Sequence, residues 1–440
     1  MLPEKTNKVK LPRNVVMLGL VSLFTDVASE MIYPLIPIFV AALGSGAMLL
    51  GVIEGVAETT ASFMKLLSGV LSDKLRKRKS LVLIGYSISS LIRPFTGLVS
   101  SAWQIVFIRM LDRVGKGIRT APRDALIAFS SEENQRGRAF GFQRAMDHTG
   151  AVLGPLLALI SLSLLIIFFQ QKDLLLSLRW TFILSLVPGL AAVWIVFSQV
   201  QEKIEDSQER KSLNFSFRQF DKNFLDYLSI VFLFTLGNSS DAFLLFRVEE
   251  AIGKSSALHE LIRQIPPVYE LFKNFGDNKS QLQLLNVLFL PLIWGFFHLI
   301  KALFSTVLGS LSDKIGRKPL IVTGWGIYAL VYLSFSLLDH LPGGWQISGT
   351  LILFAVYAFY YAFCEGAEKA LVADVVQPGL RGSAYGLYNF AVGLGALPAS
   401  IFFGLIYSTW GAQIAFTTGA GIALLSMILL MLLVKEPETP

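Results

Sequence analysis

Apolar runs of about twenty residues recur along the whole chain, and a chain built this way has few folds open to it. A helix of that length crosses the roughly 30 Å of a bilayer's hydrocarbon core. No water is present there to take up backbone N–H and C=O groups, so helices that satisfy their own backbone are favoured. Read with that ruler, the sequence holds twelve candidate spans, near 14–42, 47–72, 80–100, 103–128, 137–168, 179–199, 225–248, 282–312, 319–338, 347–374, 382–409 and 412–434. The expected fold class is an all-α integral membrane protein. Composition agrees: 53% of the 440 residues are apolar and only 16% are charged, about half of what a soluble surface of this size carries.

The formal charge of +7 does not point to nucleic acid, because the bases sit in short clusters between apolar runs. The turn after the second span carries Lys74, Arg76, Lys77, Arg78 and Lys79, and the turn after the eighth carries Lys314, Arg317 and Lys318. The turns at Gly44–Gly46 and Ser100–Ala102 carry no charge. By the positive-inside rule, both termini and the basic turns are expected in the cytoplasm. Met1–Arg13 is polar and lacks a cleavable-signal pattern, so the first span is expected to be retained. The one cysteine, Cys364, excludes an internal disulfide and a cysteine metal cluster. There is no GxxxxGK[ST] loop for ATP. No nucleophile–base pair or metal-ligand spacing stands out, so no enzyme activity, cofactor or metal is expected. His148 and His298 read as isolated, paired structural residues.

The polar stretch 201–224 separates an N-terminal six-helix half, 1–200, from a C-terminal half, 225–440. An insert at 251–280 falls on the outer side. Leu258, Leu261, Ile262 and Ile265 within it follow helical spacing, which suits an amphipathic helix at the interface or a gate over the outer mouth. The halves repeat one another. GVLSDKLRKRK at Gly69–Lys79 returns as GSLSDKIGRK at Gly309–Lys318, RGRAFG at Arg136–Gly141 as RGSAYG at Arg381–Gly386, and LFT at Leu23–Thr25 as LFT at Leu233–Thr235. Three pairs in one order indicate a duplicated six-span unit, and such repeats place a solute site at the interface between halves, near the midplane.

The repeated loop resembles the signature of the major facilitator superfamily. Gly309, Leu311, Asp313, Lys314, Gly316, Arg317 and Lys318 match it fully. Gly69, Leu71, Asp73, Lys74, Lys77 and Arg78 match with Arg76 in place of the second glycine. A glycine there lets helices approach, and an aspartate at a helix end can pair with a neighbouring base and latch one conformation. In the fourth span, Arg109 and Gly115 match the superfamily's fourth-helix motif, with Arg113 where glycine is usual. In the fifth, Gly141, Gly150, Gly154 and Pro155 reproduce the spacing of its antiporter motif, while Ala158 and Leu159 replace the closing glycine pair. The resemblance implies twelve helices in two pseudo-symmetric halves around a central cavity, no cofactor, a bacterial inner (plasma) membrane location, and export by antiport. It places Gly150, Gly154 and Pro155 on the helix lining the seam between halves.

Charges inside spans carry the rest of the reading. Each costs several kcal/mol against lipid and so must face a wet cavity or another charge. Asp26, Glu30, Glu58, Arg109, Asp112, Arg113, Arg144 and Asp147 are candidates for coupling or ion pairing, and Asn238, Asp241, Tyr361 and Glu365 for contact with solute. The leading expectation is proton-coupled export of a small organic solute, amphipathic or anionic, by a monomer that binds its solute, protons and lipid but no nucleic acid. Proton-coupled import by symport and a non-transporting sensor remain alternatives, and buried titratable charge disfavours the sensor.

Overall fold

The computed structural model describes residues 11–75, 78–131, 136–167, 173–202, 220–254, 264, 278–342, 345–376 and 381–436. Their regular structure is helical throughout: α1 (Arg13–Glu30), α2 (Ile36–Ala42), α3 (Ala47–Leu75), α4 (Arg78–Ile92), α5 (Ala102–Ser130), α6 (Arg136–Ile167), α7 (Leu174–Leu184), α8 (Leu186–Gln199), α9 (Lys222–Gly237), α10 (Ala242–Lys254), α11 (Asn278–Ile315), α12 (Arg317–Ser336), α13 (Gln346–Asp374) and α14 (Arg381–Leu433). The last residues of the 201–224 interval are therefore helical. The insert's apolar set at Leu258–Ile265 lies outside the described residues.

Ten of these segments are long and apolar enough to cross a bilayer by composition alone. Two more crossings bring the total to the expected twelve. One is α5, whose charges disqualify it by hydropathy but which runs 29 residues beside α3 and α4. The other is hidden in α14, where Gly411 at φ 87° breaks the helix and separates two spans. Only glycine enters that left-handed region without strain. Gly316, at φ 97°, does the same for the second basic turn. α6 stays helical through Pro155.

The first and seventh spans are discontinuous. α1 stops at Glu30, a turn and a short 3-10 segment containing Pro34 follow, and α2 completes the crossing. α9 stops at Gly237, and α10 starts at Ala242, whose N–H is capped by the Ser240 hydroxyl at 3.3 Å. Both breaks follow the LFT triplets. Broken helices inside a membrane are tolerated where the freed backbone lines a cavity or is buried in protein.

Each half is fastened end to end by the same device. Asn14 exchanges two hydrogen bonds of 2.9 Å with the backbone of Gln201, and Asn223 exchanges two of 2.8 Å with the backbone of Lys435. Glu202 then accepts the backbone N–H groups of Arg78 and Lys79 at 3.1 and 2.9 Å. Glu436 accepts those of Arg317 and, at 3.1 Å, Lys318. A carboxylate there satisfies the unpaired N–H groups at the start of α4 or α12 and suits the helix dipole.

The halves meet along two seams related by the internal repeat, α3 against the first part of α14 and α6 against α11. At the first, a Cβ on Gly404 would lie 2.7 Å from the Ala47 carbonyl oxygen and one on Gly55 3.1 Å from the Leu397 backbone. Gly51 faces the Ser400 carbonyl, and Gly393 faces the Ser62 side chain. Thr59 donates to the Gly393 carbonyl at 2.8 Å. These contacts run from the loop at residue 47 inward to residue 62. The halves are thus closed on the face opposite the termini and part on the face that carries the basic turns.

Candidate functional site

Where the halves part, a cavity of about 760 Å³ runs from the middle of the molecule toward the basic face. Its N-half wall is a ladder on one face of α5, Arg109, Arg113, Lys116, Thr120 and Arg123, with Arg119 alongside. Steps of three and four residues keep side chains on one helical stripe. Nine Lys or Arg and seven Asp or Glu line the cavity among the described residues, an excess of bases.

Near the closed end the charges are fixed. One terminal nitrogen of Arg109 donates to both Glu54 oxygens at 2.9 and 3.1 Å, and Arg113 holds Glu58 at 3.3 Å. Asp112 is buried behind the wall. It accepts from Arg93 at 2.8 Å and lies 4.0 and 3.8 Å from Arg109 and Arg113. Arg93 also donates to the Thr25 carbonyl at 3.0 Å, tying the third span to the first. Asp112 is therefore a framework ion pair and does not line the cavity. Arg109, Arg113 and Glu58 do line it.

The closed end is a polar and aromatic roof that joins the two halves. Glu30 accepts from the Trp294 indole at 2.7 Å, and Tyr33 lies against Trp294 with ring centroids 5.1 Å apart. The hydroxyls of Tyr33 and Ser240 are 3.4 Å apart, and Ser240 reaches Glu54 at 3.5 Å. Trp294 was not a sequence candidate, because one tryptophan in an apolar run looks the same facing lipid or a seam.

On the C-half side, Asp241 in the break of the seventh span accepts from Tyr357 at 2.6 Å and from Tyr361 at 2.9 and 3.1 Å. Asp241 and Glu365 line the cavity. Tyr361 and Asn238 stand behind it, Tyr361 holding Asp241 and Asn238 donating to the Tyr360 hydroxyl at 3.2 Å. Glu365 bridges the halves, 3.4 Å from Arg144 and 3.5 Å from Lys301. His298 and His148 both line the cavity, and among the described residues neither ring nitrogen of His298 has a hydrogen-bond partner.

Asp26 and Asp147 come together across α1 and α6. Gly150 lets Asp26 pack against α6 one turn beyond Asp147, which accepts from Gln143 at 2.6 Å and lies 3.9 Å from Arg144. Gly150 and Gly154 thus face α1 of their own half, at Leu23, Asp26, Val27 and Glu30. Pro155 is the member of that motif at the seam, opposite Gly295 of α11. Of the repeated loop, Gly69, Asp73, Lys74, Gly309 and Asp313 lie outside the residues whose surroundings are described. Arg78 stacks on Phe129 with 4.0 Å to the ring centroid, Arg317 reaches Asp374 at 3.3 Å, and Lys318 donates to the carbonyls of Met431 and Val434 at 2.8 and 2.7 Å.

Residues 18–261 and 255–440 match the model of the Major Facilitator Superfamily. An uncharacterized MFS-type transporter of Methanocaldococcus jannaschii is 32% identical over 425 residues, covering 97% of this chain and 96% of that protein. The multidrug resistance protein MdtG of Salmonella schwarzengrund is 28% identical over 158 residues, 35% of this chain and 39% of that one. Among solved structures, a variant of the nucleoside transporter NupG superposes with a TM-score of 0.73 at 14% identity, covering 96% of this chain and 100% of that one. A D-xylose–proton symporter gives 0.67 at 14% identity, covering 97% and 98%.

Proposed function

We propose, for a chain that belongs to the Major Facilitator Superfamily and is a multi-pass membrane transporter, that it carries a small organic anion out of the cell in exchange for protons. The observation that carries this reading is the excess of bases over acids in the cavity between the halves. In a low-dielectric body such an excess concentrates anions and disfavours cations. The outward direction draws its support from the fifth-helix spacing and from the partial likeness to MdtG. The seams and the one-sided cavity suit alternating access by rocking of one half against the other.

Protons need an acid that can be neutralised without breaking an ion pair. Asp26 makes no ion pair among the described residues, and Glu30 and Asp241 are held by an indole and two phenols rather than by bases. Asp147 is only loosely approached by Arg144. Neutralising Asp26 or Asp147 is therefore expected to abolish gradient-driven transport and leave solute counterflow largely intact. The measurement is driven uptake beside counterflow on the same purified Asp26→Asn and Asp147→Asn proteins in proteoliposomes. Loss of both activities together would make the pair structural, and driven transport surviving in both would move the coupling elsewhere.

A second reading, symport, rests on the same two acids. They sit beside the cationic wall, so a proton on either removes a charge that repels an anion, and proton and anion then bind better together. An acid-outside gradient separates the readings: symport accumulates the solute inside, and exchange depletes it.

The basic turns support a plasma membrane location with both termini in the cytoplasm. Reporters fused at Gln208 and Asn274 are expected on opposite sides, and the same side for both would break the twelve-span map.

A further inference from the structure

Most bases on the cavity wall of α5 have a counter-charge close by. Arg109 and Arg113 hold Glu54 and Glu58, and Arg123 holds Asp124 at 2.9 Å. Lys116 and Arg119, between them, do not. Among the described residues Lys116 makes no ion pair. Arg119 is 5% exposed and has no carboxylate partner among the described residues. It donates to the Ser89 hydroxyl at 2.8 Å and lies over the Tyr86 ring, 4.4 Å from its centroid. On the adjoining helix Lys65 lines the same cavity and also makes no ion pair among the described residues. α3 and α5 touch at this level: a Cβ on Gly117 would lie 3.1 Å from the backbone nitrogen of Lys65, and Ser68 donates to the Gly117 carbonyl at 2.8 Å. Three cations thus share one wall.

We propose that Lys65, Lys116 and Arg119 form the site that takes an oxyanion group, carboxylate or phosphate, of the transported solute. The proposal rests on the reading that the solute is an anion. Gathering like charges in a low-dielectric wall is costly unless an anion joins them. One turn away on the same helix the chain neutralises its arginines with carboxylates from α3. At Lys116 it leaves the charge uncovered on the cavity side. Among the described residues neither Glu58, which Arg113 holds, nor Asp26 makes an ion pair with Lys116. Arg119 brings a planar fork suited to two oxygens, and the lysines bring adaptable point charges.

The test is ligand-induced thermal stabilisation of the purified protein in detergent. Four probes share a similar ring: phenyl phosphate, benzoate, benzyl alcohol and phenyltrimethylammonium. Phenyl phosphate, benzoate or both are expected to stabilise the wild type, and the stronger of the two names the oxyanion. The neutral and cationic probes are expected not to. Lys65→Gln and Lys116→Gln should each weaken the anion's affinity at least tenfold, while Lys116→Arg keeps it within about threefold. Lys222→Gln, outside the cavity, should leave it unchanged. Arg119→Gln, at a buried position, is compared with Arg119→Lys in case it misfolds, and the two lysines test the site without it. Anion binding that is undiminished in both lysine variants would overturn the site and leave the anion reading standing. Stabilisation by the cationic probe alone, or by neither anion, would overturn both.

Discussion

Replacing Arg109 by methionine is expected to destabilise the folded protein by about 3–5 kcal/mol, because it leaves Glu54 buried with no cation. The two side chains are 7% and 2% exposed, and they are joined by a two-pronged bond. The loss should be read as a fall in the thermal midpoint and in the monodisperse fraction after purification. The double variant Arg109→Met with Glu54→Leu separates the cost of an orphaned charge from the value of the pair. Removing both charges and keeping the volume is expected to recover most of the stability, since a buried pair barely repays its own desolvation. Transport should not recover with it, because the roof contact from Glu54 to Ser240 is gone. An Arg109→Met protein as stable as the wild type would mean that this pair is not part of the framework.

The second large effect concerns the seam that closes the face away from the termini. Gly51→Val drives a side chain into the Ser400 backbone carbonyl, which no trimming of side chains can relieve. Overpacking of about 1–3 kcal/mol, acting only on the closed seam, corresponds to a shift in state populations of about 5–150-fold. Ser240→Cys, at the roof, reports that shift. An impermeant maleimide added at the face opposite the termini should label it faster by a factor in that range, and transport should fall in step. Gly393 is the control. Its added Cβ meets the Ser62 side chain, so Gly393→Ala should be impaired alone and restored by Ser62→Gly. Unchanged labelling in Gly51→Val would show that this seam does not hold the closed face.

The spans were legible because a bilayer imposes one length and one chemistry on every crossing. Even α5, too charged for hydropathy, falls on the expected span near 103–128. The side-chain partners were less legible. The i,i+4 spacing of Glu54 and Glu58 put both on one face, but nothing in it says that Arg109 and Arg113 on another helix stand opposite. Asp112 stood among the candidates for coupling or ion pairing, but its partner, Arg93, comes from a different span and could not be named from spacing. Gly150 and Gly154 announced a close approach without naming the helix approached. Gly51 and Gly393 gave no signal, since a glycine in an apolar helix looks alike at a seam and facing lipid.

The paired clasps, Asn14 with Gln201 and Glu202, and Asn223 with Lys435 and Glu436, bear on how such a molecule comes to exist. Each clasp joins the beginning of a half to its own end and uses nothing from the other half. A unit closed in this way is complete at six crossings. Each seam pairs the second span of one half with the fifth span of the other, so two identical copies, face to face, would already supply both. Fusing the copies into one chain then adds no new joint. It frees the two faces of the cavity to diverge, and they differ here, with most of the arginines and lysines on one wall and tyrosines behind an aspartate on the other.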